Sequence, residues 1–302
     1  MIDDVVLLAA SSIRARRRAG AVVGTWAWQT VLALVGSWPA VGLVRAAYGA
    51  FPSGDAALWE PGTLPLLALI SREANGVRAA MGTAGAVLVV GAIAGLVPLA
   101  ATMISIGSAG RDGRAIGVAN ALARAVRIFR PLGLLLFAVV LAQGLAVAAA
   151  VLFGQLVEAW THRWLGEAHA QTLGIAVGAA LMPCVVALGV VHDLARAAVV
   201  RFGVRPLQAL SAGCQVLRAA PVTLAWSWGW RALASVVPVL VAADLADHIG
   251  GRGGVALVVL GAIHQLVVLA RVAFRASWLA KALRTVDVSK VGPLSFVDSA
   301  SD

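Results

Sequence analysis

Carboxylates are scarce in this chain: 14 Asp and Glu occur among 302 residues, and none falls inside its long apolar stretches. That absence argues against an ion-coupled pump, which would keep an ionisable acid within the bilayer. Lysine is nearly missing as well. Lys281 and Lys290 stand against 22 arginines, a bias that fits a GC-rich bacterial genome. Cys184 lies in an apolar run and Cys214 in a basic one, so the two make neither a disulfide framework nor a metal-ligand pair. No G-x-S-x-G, Walker loop, H-E-x-x-H or paired catalytic carboxylates occur, which counts against an autonomous enzyme. The sequence therefore assigns no catalytic, cofactor-binding or metal-ligating residue.

What is present is apolar. Hydrophobic residues make up 61% of the chain and charged residues 13%, against about 25% charged in soluble domains. Mean hydropathy is +0.91. These values define an integral membrane protein, and the net charge of +10 is then read as the margin of a bilayer protein and not as a nucleic-acid footprint.

Crossing about 30 Å of hydrocarbon takes roughly 20 mostly apolar residues. Charge-free windows place helices near 19–44, 81–108, 131–157, 170–191 and 253–271. A sixth covers 222–243, interrupted only by Arg231, or 231–247 if the crossing starts at that arginine. The expectation is an all-α, polytopic fold of six transmembrane helices in three hairpins. It forms one helical domain over 1–285, followed by a polar tail at 286–302. The first window follows Arg14, Arg16, Arg17 and Arg18 as a signal peptide would, but it is too long and carries Trp26, Trp28, Gln29 and Trp38, so it reads as an uncleaved anchor.

Assigning loops alternately to the two sides puts 18 Lys and Arg on the side of both termini and 5 on the other, while the acids divide 7 and 7. Positive charge is retained on the inside, so both termini are expected in the cytoplasm, at a bacterial inner membrane. One cytoplasmic connection is itself patterned. Val118, Leu122, Val126 and Phe129 recur at helical spacing against Arg124, Arg127 and Arg130, as in a basic amphipathic helix lying on anionic phospholipid. The outer loop from Phe51 to Ala80, rich in Pro and Gly, reads as an interfacial or re-entrant piece.

T-W-A-W-Q at 25–29 aligns with S-W-G-W-R at 227–231, 202 residues on; outward, Arg16 meets Arg218 and Val35 meets Val237. Fixed-offset similarity of this kind marks repeated units, here the first and fifth helices. Ala209-Leu210, then Leu217-Arg218, then Trp230-Arg231 leading into an apolar span also resembles the inter-helix motif of bacterial six-helix membrane proteins related to the membrane domains of glycerophosphoryl diester phosphodiesterases. Where that pattern usually has serine, this chain has Gly213. The resemblance implies a membrane fold and little chemistry, and none of the 302 residues reads as the soluble phosphodiesterase domain.

Polar residues in or at the spans are the candidate functional positions. Arg231 is foremost, because a charge within a span is a functional hint by default. His264, beside Gln265 near the centre of the sixth span, is the titratable group expected to lie deepest, hydrogen-bonded across to Gln29 or Gln143. Asp193 and Arg196, at i and i+3, are expected to pair at the interface where the fourth span ends. Glu158, His162, Glu167 and His169 read as a polar cap with Trp160 and Trp164 as interface anchors, in preference to a metal site. The function class expected from all this is a non-catalytic membrane scaffold or partner subunit; the alternative is a small transporter or lipid-handling permease component, which would bring an ATPase or other membrane partner.

Overall fold

The computed structural model describes residues 5–7, 9, 12–14, 19–49, 64–110, 115–249 and 254–288. In chain order these form β1 (Val5–Leu7), α1 (Ala19–Tyr48), α2 (Leu64–Arg72), α3 (Ala74–Ala94), α4 (Leu96–Gly107), β2 (Ser108–Gly110), α5 (Val118–Arg127), α6 (Phe129–Leu165), α7 (Glu167–Phe202), α8 (Pro206–Ala219), α9 (Pro221–Ile249) and α10 (Gly254–Val288). Six stretches are long and apolar enough to cross a membrane, with α3 and α4 together making one, so the chain is a multi-pass membrane protein. The outer-loop residues 51–63 and the tail residues 289–302 lie outside the described residues.

The fold is all-α as expected, with one short addition: an antiparallel pair joins β1 to β2, Val5 opposite Gly110 and Leu7 opposite Ser108. Several helices also outrun their apolar windows. α6 has 37 residues and α7 has 36, about 55 Å each at 1.5 Å per residue, far more than hydrocarbon requires. The surplus of α7 is buried: every residue from Val190 to Val199 is enclosed, so its backbone and polar side chains need no water to remain helical.

The break between α3 and α4 has a local cause. Pro98 has no N–H to give the carbonyl of Ala94, and its ring would strike that group, so α3 stops at Ala94 and α4 resumes after Gly95. Gly203 ends α7 in the left-handed region at φ 66°, returning its N–H to the Val199 carbonyl at 2.9 Å. Pro206 then opens α8, whose start is closed by the Arg205 N–H donating to Gln208 Oε1 at 3.2 Å.

The chain divides into two compact units. One comprises residues 1–14, 103–230 and 278–302; the other, 15–102 and 231–277. In the first, α6 and α7 run antiparallel in close contact. A Cβ on Gly154 would lie 2.7 Å from the Gly174 carbonyl oxygen, and one on Gly174 would lie 2.7 Å from the Gly154 carbonyl oxygen, so only glycine allows this backbone approach. Gln143 Nε2, further along α6, donates to the Val185 carbonyl at 3.2 Å in the same register. In the second unit α1 packs on α3, with Gly36 against Val87 and Gly91 against Leu32.

Candidate functional site

Among the described residues the buried titratable groups gather in the first unit, around the far end of α7. Asp193 has 2% of its surface exposed, Trp278 2% and Arg196 8%. Trp278 Nε1 donates to Asp193 Oδ2 at 2.8 Å, and Arg196 approaches Asp193 Oδ1 at 3.5 Å, so both carboxylate oxygens are engaged. Nearby on the same helix Arg201 makes two contacts with different elements. Its Nε donates to Asp287 Oδ1 at 2.9 Å, and its Nη1 to the Gly107 carbonyl at 2.9 Å. One guanidinium thus holds the end of α4 and the last turn of α10 to α7. His192 completes the buried group.

The Asp193–Arg196 pair forms at the expected spacing but in a different setting. It is buried within a packed end of the bundle, because α7 continues to Phe202 instead of stopping where its apolar window stops. α8 closes against it: a Cβ at Gly213 would come within 2.8 Å of the Val191 carbonyl oxygen. Serine at this position, as in the motif this stretch resembles, would not fit without a shift of backbone. Ala209 of that motif is buried, while Arg218 and Trp230 are exposed.

The second unit holds the other candidates. His264 is exposed and not buried in the protein, its Nδ1 donating to the Leu260 carbonyl one turn back at 2.8 Å. It does not bond Gln29, which is exposed on α1, and Gln143 donates to α7 within its own unit. The residue beside it makes the inter-helix contact: Thr30 Oγ1 of α1 donates to Gln265 Oε1 at 2.9 Å. A second bond links α1 to α4 through the hydroxyls of Thr25 and Thr102, 2.7 Å apart. Trp26 Nε1 and Trp28 Nε1 are buried with no hydrogen-bond acceptor among the described residues, and Trp28 lies against Gly95 at the α3–α4 break. Arg231 is half-buried and its Nε donates to Ser277 Oγ at 3.1 Å.

On the remaining candidates the placement is simple. Gln155, Glu158, Ala159, His162 and Arg163 line a shallow depression on α6, with Trp160 and Trp164 exposed beside it. No group of three or more His, Cys, Asp or Glu side chains converges to hold a metal among the described residues. Arg127 and Arg130 are exposed and Arg124 is half-buried. Sequence reasoning missed Arg201, Asp287, Trp278, Ser277, Thr25, Thr30 and Thr102. One signal for Trp278 was legible: an indole N–H in a stretch that becomes buried needs an acceptor, and Asp193 was among the few acids available.

Comparison of this chain with models of protein families, with curated proteins and with solved structures found no match.

Proposed function

We propose that this chain is a multi-pass protein of a bacterial inner membrane, with both termini in the cytoplasm, that acts as a non-catalytic scaffold or partner subunit. The observation that carries the reading is α1. This helix of 30 residues, apolar along its length, has no buried residue although it packs on α3, and Leu34 and Trp38 are among its most exposed side chains. It offers a continuous face to another membrane helix. The buried charges of the other unit support the same reading, since Asp193, Arg196 and Arg201 are engaged with one another, with Trp278 and Asp287 and with backbone. The resemblance of residues 209–231 to a motif of phosphodiesterase membrane domains fits a membrane fold of this kind. So does a repeat of α1 and α9, which start at Ala19 and Pro221, the same 202-residue offset as their tryptophans.

Arg231 fits the margin of the bilayer better than its centre. Ser277, its partner, lies seven residues beyond the last apolar position of the α10 window, about 10 Å further along the helix and past Arg271 and Arg275. An arginine bonded at that level avoids about 2.5–3.5 kcal/mol of mid-membrane insertion cost. Trp226, Trp228 and Trp230 then form an interfacial belt. Arg231→Lys should insert normally and stay folded, because lysine also reaches the interface. A spin label at position 231 reporting the bilayer centre would refute the assignment.

Two further experiments test the reading. Single cysteines at Ala168 and Gln215 in a Cys-free background should divide: the first reacts with an impermeant maleimide in intact cells, the second only after lysis, and the reverse reverses the topology. A photocrosslinker at Leu34 or Trp38 should give one discrete protein adduct in native membranes, and one at Leu141 of α6 should give none. No adduct at α1 would sink the scaffold reading; an ATPase adduct would move the chain to the permease alternative.

A further inference from the structure

We propose that α5 lies on the membrane surface at headgroup level and binds anionic phospholipid through a face that the protein leaves open. The proposal rests on the reading of α6 as a membrane span. Ala121 and Ala125 of α5 are fully enclosed, so the helix is held to its own unit by an alanine face. Its larger apolar side chains point elsewhere: Val118 is 71% exposed, Leu122 39% and Val126 61%. A solvated helix would place these inward and its alanines outward. α8 buries alanines too, Ala209 and Ala212, but it also encloses Val216 and presents Ser211, Gln215 and Arg218 beside the exposed Leu207.

Position follows from the chain. Ile128 alone separates α5 from α6, and its N–H reaches back to the Arg124 carbonyl at 3.4 Å, so the two helices are nearly continuous. Arg127 is four residues from Pro131, where the charge-free window of α6 opens, a rise of about 6 Å. If α6 crosses the bilayer, α5 has no room to be anywhere but its edge. Charge selects the lipid: Arg127 is exposed about 100° or more round the helix from Leu122 and Val126, Arg130 is exposed just beyond it at the start of α6, Arg124 is half-exposed, and no acid occurs between Asp112 and Glu158. Phosphates of an acidic leaflet therefore meet guanidinium groups while acyl chains meet Val118, Leu122 and Val126.

The test uses the full-length protein with both cysteines replaced by serine and single spin labels at Leu122, Val126, Ala123 or Leu141. It is reconstituted in phosphatidylcholine vesicles with or without phosphatidylglycerol. In acidic vesicles, labels at 122 and 126 should be reached by oxygen and not by a nickel chelate, at a depth roughly 5–10 Å inside the interface. The label at 123, about 100° round the helix, should meet nickel. Removing phosphatidylglycerol, or introducing Arg127→Gln with Arg130→Gln, should move 122 and 126 toward water. Nickel access at 122 and 126 in acidic vesicles overturns the proposal, and so does protection from both reagents, which would mean that protein covers the face. Equal depth in neutral and acidic vesicles overturns the choice of an anionic lipid. The label at Leu141 is reached by oxygen whenever α6 spans, so its loss reports failure of the membrane reading and not of this one.

Discussion

The end of α7 and the whole of α1 are both helix continuous with an apolar span, and they are held in opposite ways. From Val190 to Val199 every residue of α7 is buried, and four polar or charged groups close by, Asp193, Arg196, Arg201 and Trp278, are fixed by bonds to named partners. No residue of α1 is wholly buried, although Trp26 and Trp28 enclose their indole nitrogens, and its links to other helices include the threonine contacts to Thr102 and Gln265. The lesson is that hydropathy does not measure how tightly a membrane helix is specified. A segment can be apolar because lipid surrounds it or because protein does, and only in the second case does one atom have to fit another.

The sharpest way to break that contrast is at Asp193. Asp193→Ala removes the acceptor of Trp278 and leaves the Arg196 charge buried without its carboxylate, which should lower stability by about 3–5 kcal/mol. Thermal unfolding of the detergent-solubilised protein measures it, with Asp193→Asn as the milder comparison because it still accepts from the indole. A loss below about 1 kcal/mol would show that the α7 end is no more specified than α1.

Arg201→Lys probes the same region with charge retained. A lysine cannot serve Asp287 and the Gly107 carbonyl from one rigid fork, so about 1.5–3 kcal/mol should be lost, read in the same melt. Gly174→Ala comes next. Its methyl would stand 2.7 Å from the Gly154 carbonyl oxygen, and separating α6 from α7 should cost about 1–3 kcal/mol and show as faster proteolysis near Gly166.

Smallest of all should be Gly24→Ala and Gly42→Ala on α1, where an added Cβ meets nothing within 4 Å. Helix propensity favours alanine by up to about 1 kcal/mol, so the melt should stay or rise slightly in detergent. If these variants lose assembly in native membranes while melting normally in detergent, α1 is packed against a partner there, and the contrast with α7 is one of partners and not of specification.

The helices were legible because transfer into hydrocarbon is close to a sum over neighbouring side chains, and such sums can be read along a chain without knowing what touches what. The six apolar stretches, the pairing of Asp193 with Arg196 one turn apart, and the helical spacing of Val118, Leu122 and Val126 are all local in this sense. Helix ends were not legible, since a window stops at the first charge while the backbone continues wherever another helix shields it, as α7 does through Asp193 to Phe202. Nor was the exposure of His264, which depends on the face of α10 it occupies and on what packs there. Trp278 finds Asp193 across 85 residues and Arg201 finds Asp287 across 86. Contacts at that separation are set by the angle and register at which helices meet, and a glycine such as Gly154 has meaning only once the facing backbone arrives. Lipid tolerates many side chains in many positions; a carboxylate in the dry interior tolerates only the donors that packing brings to it.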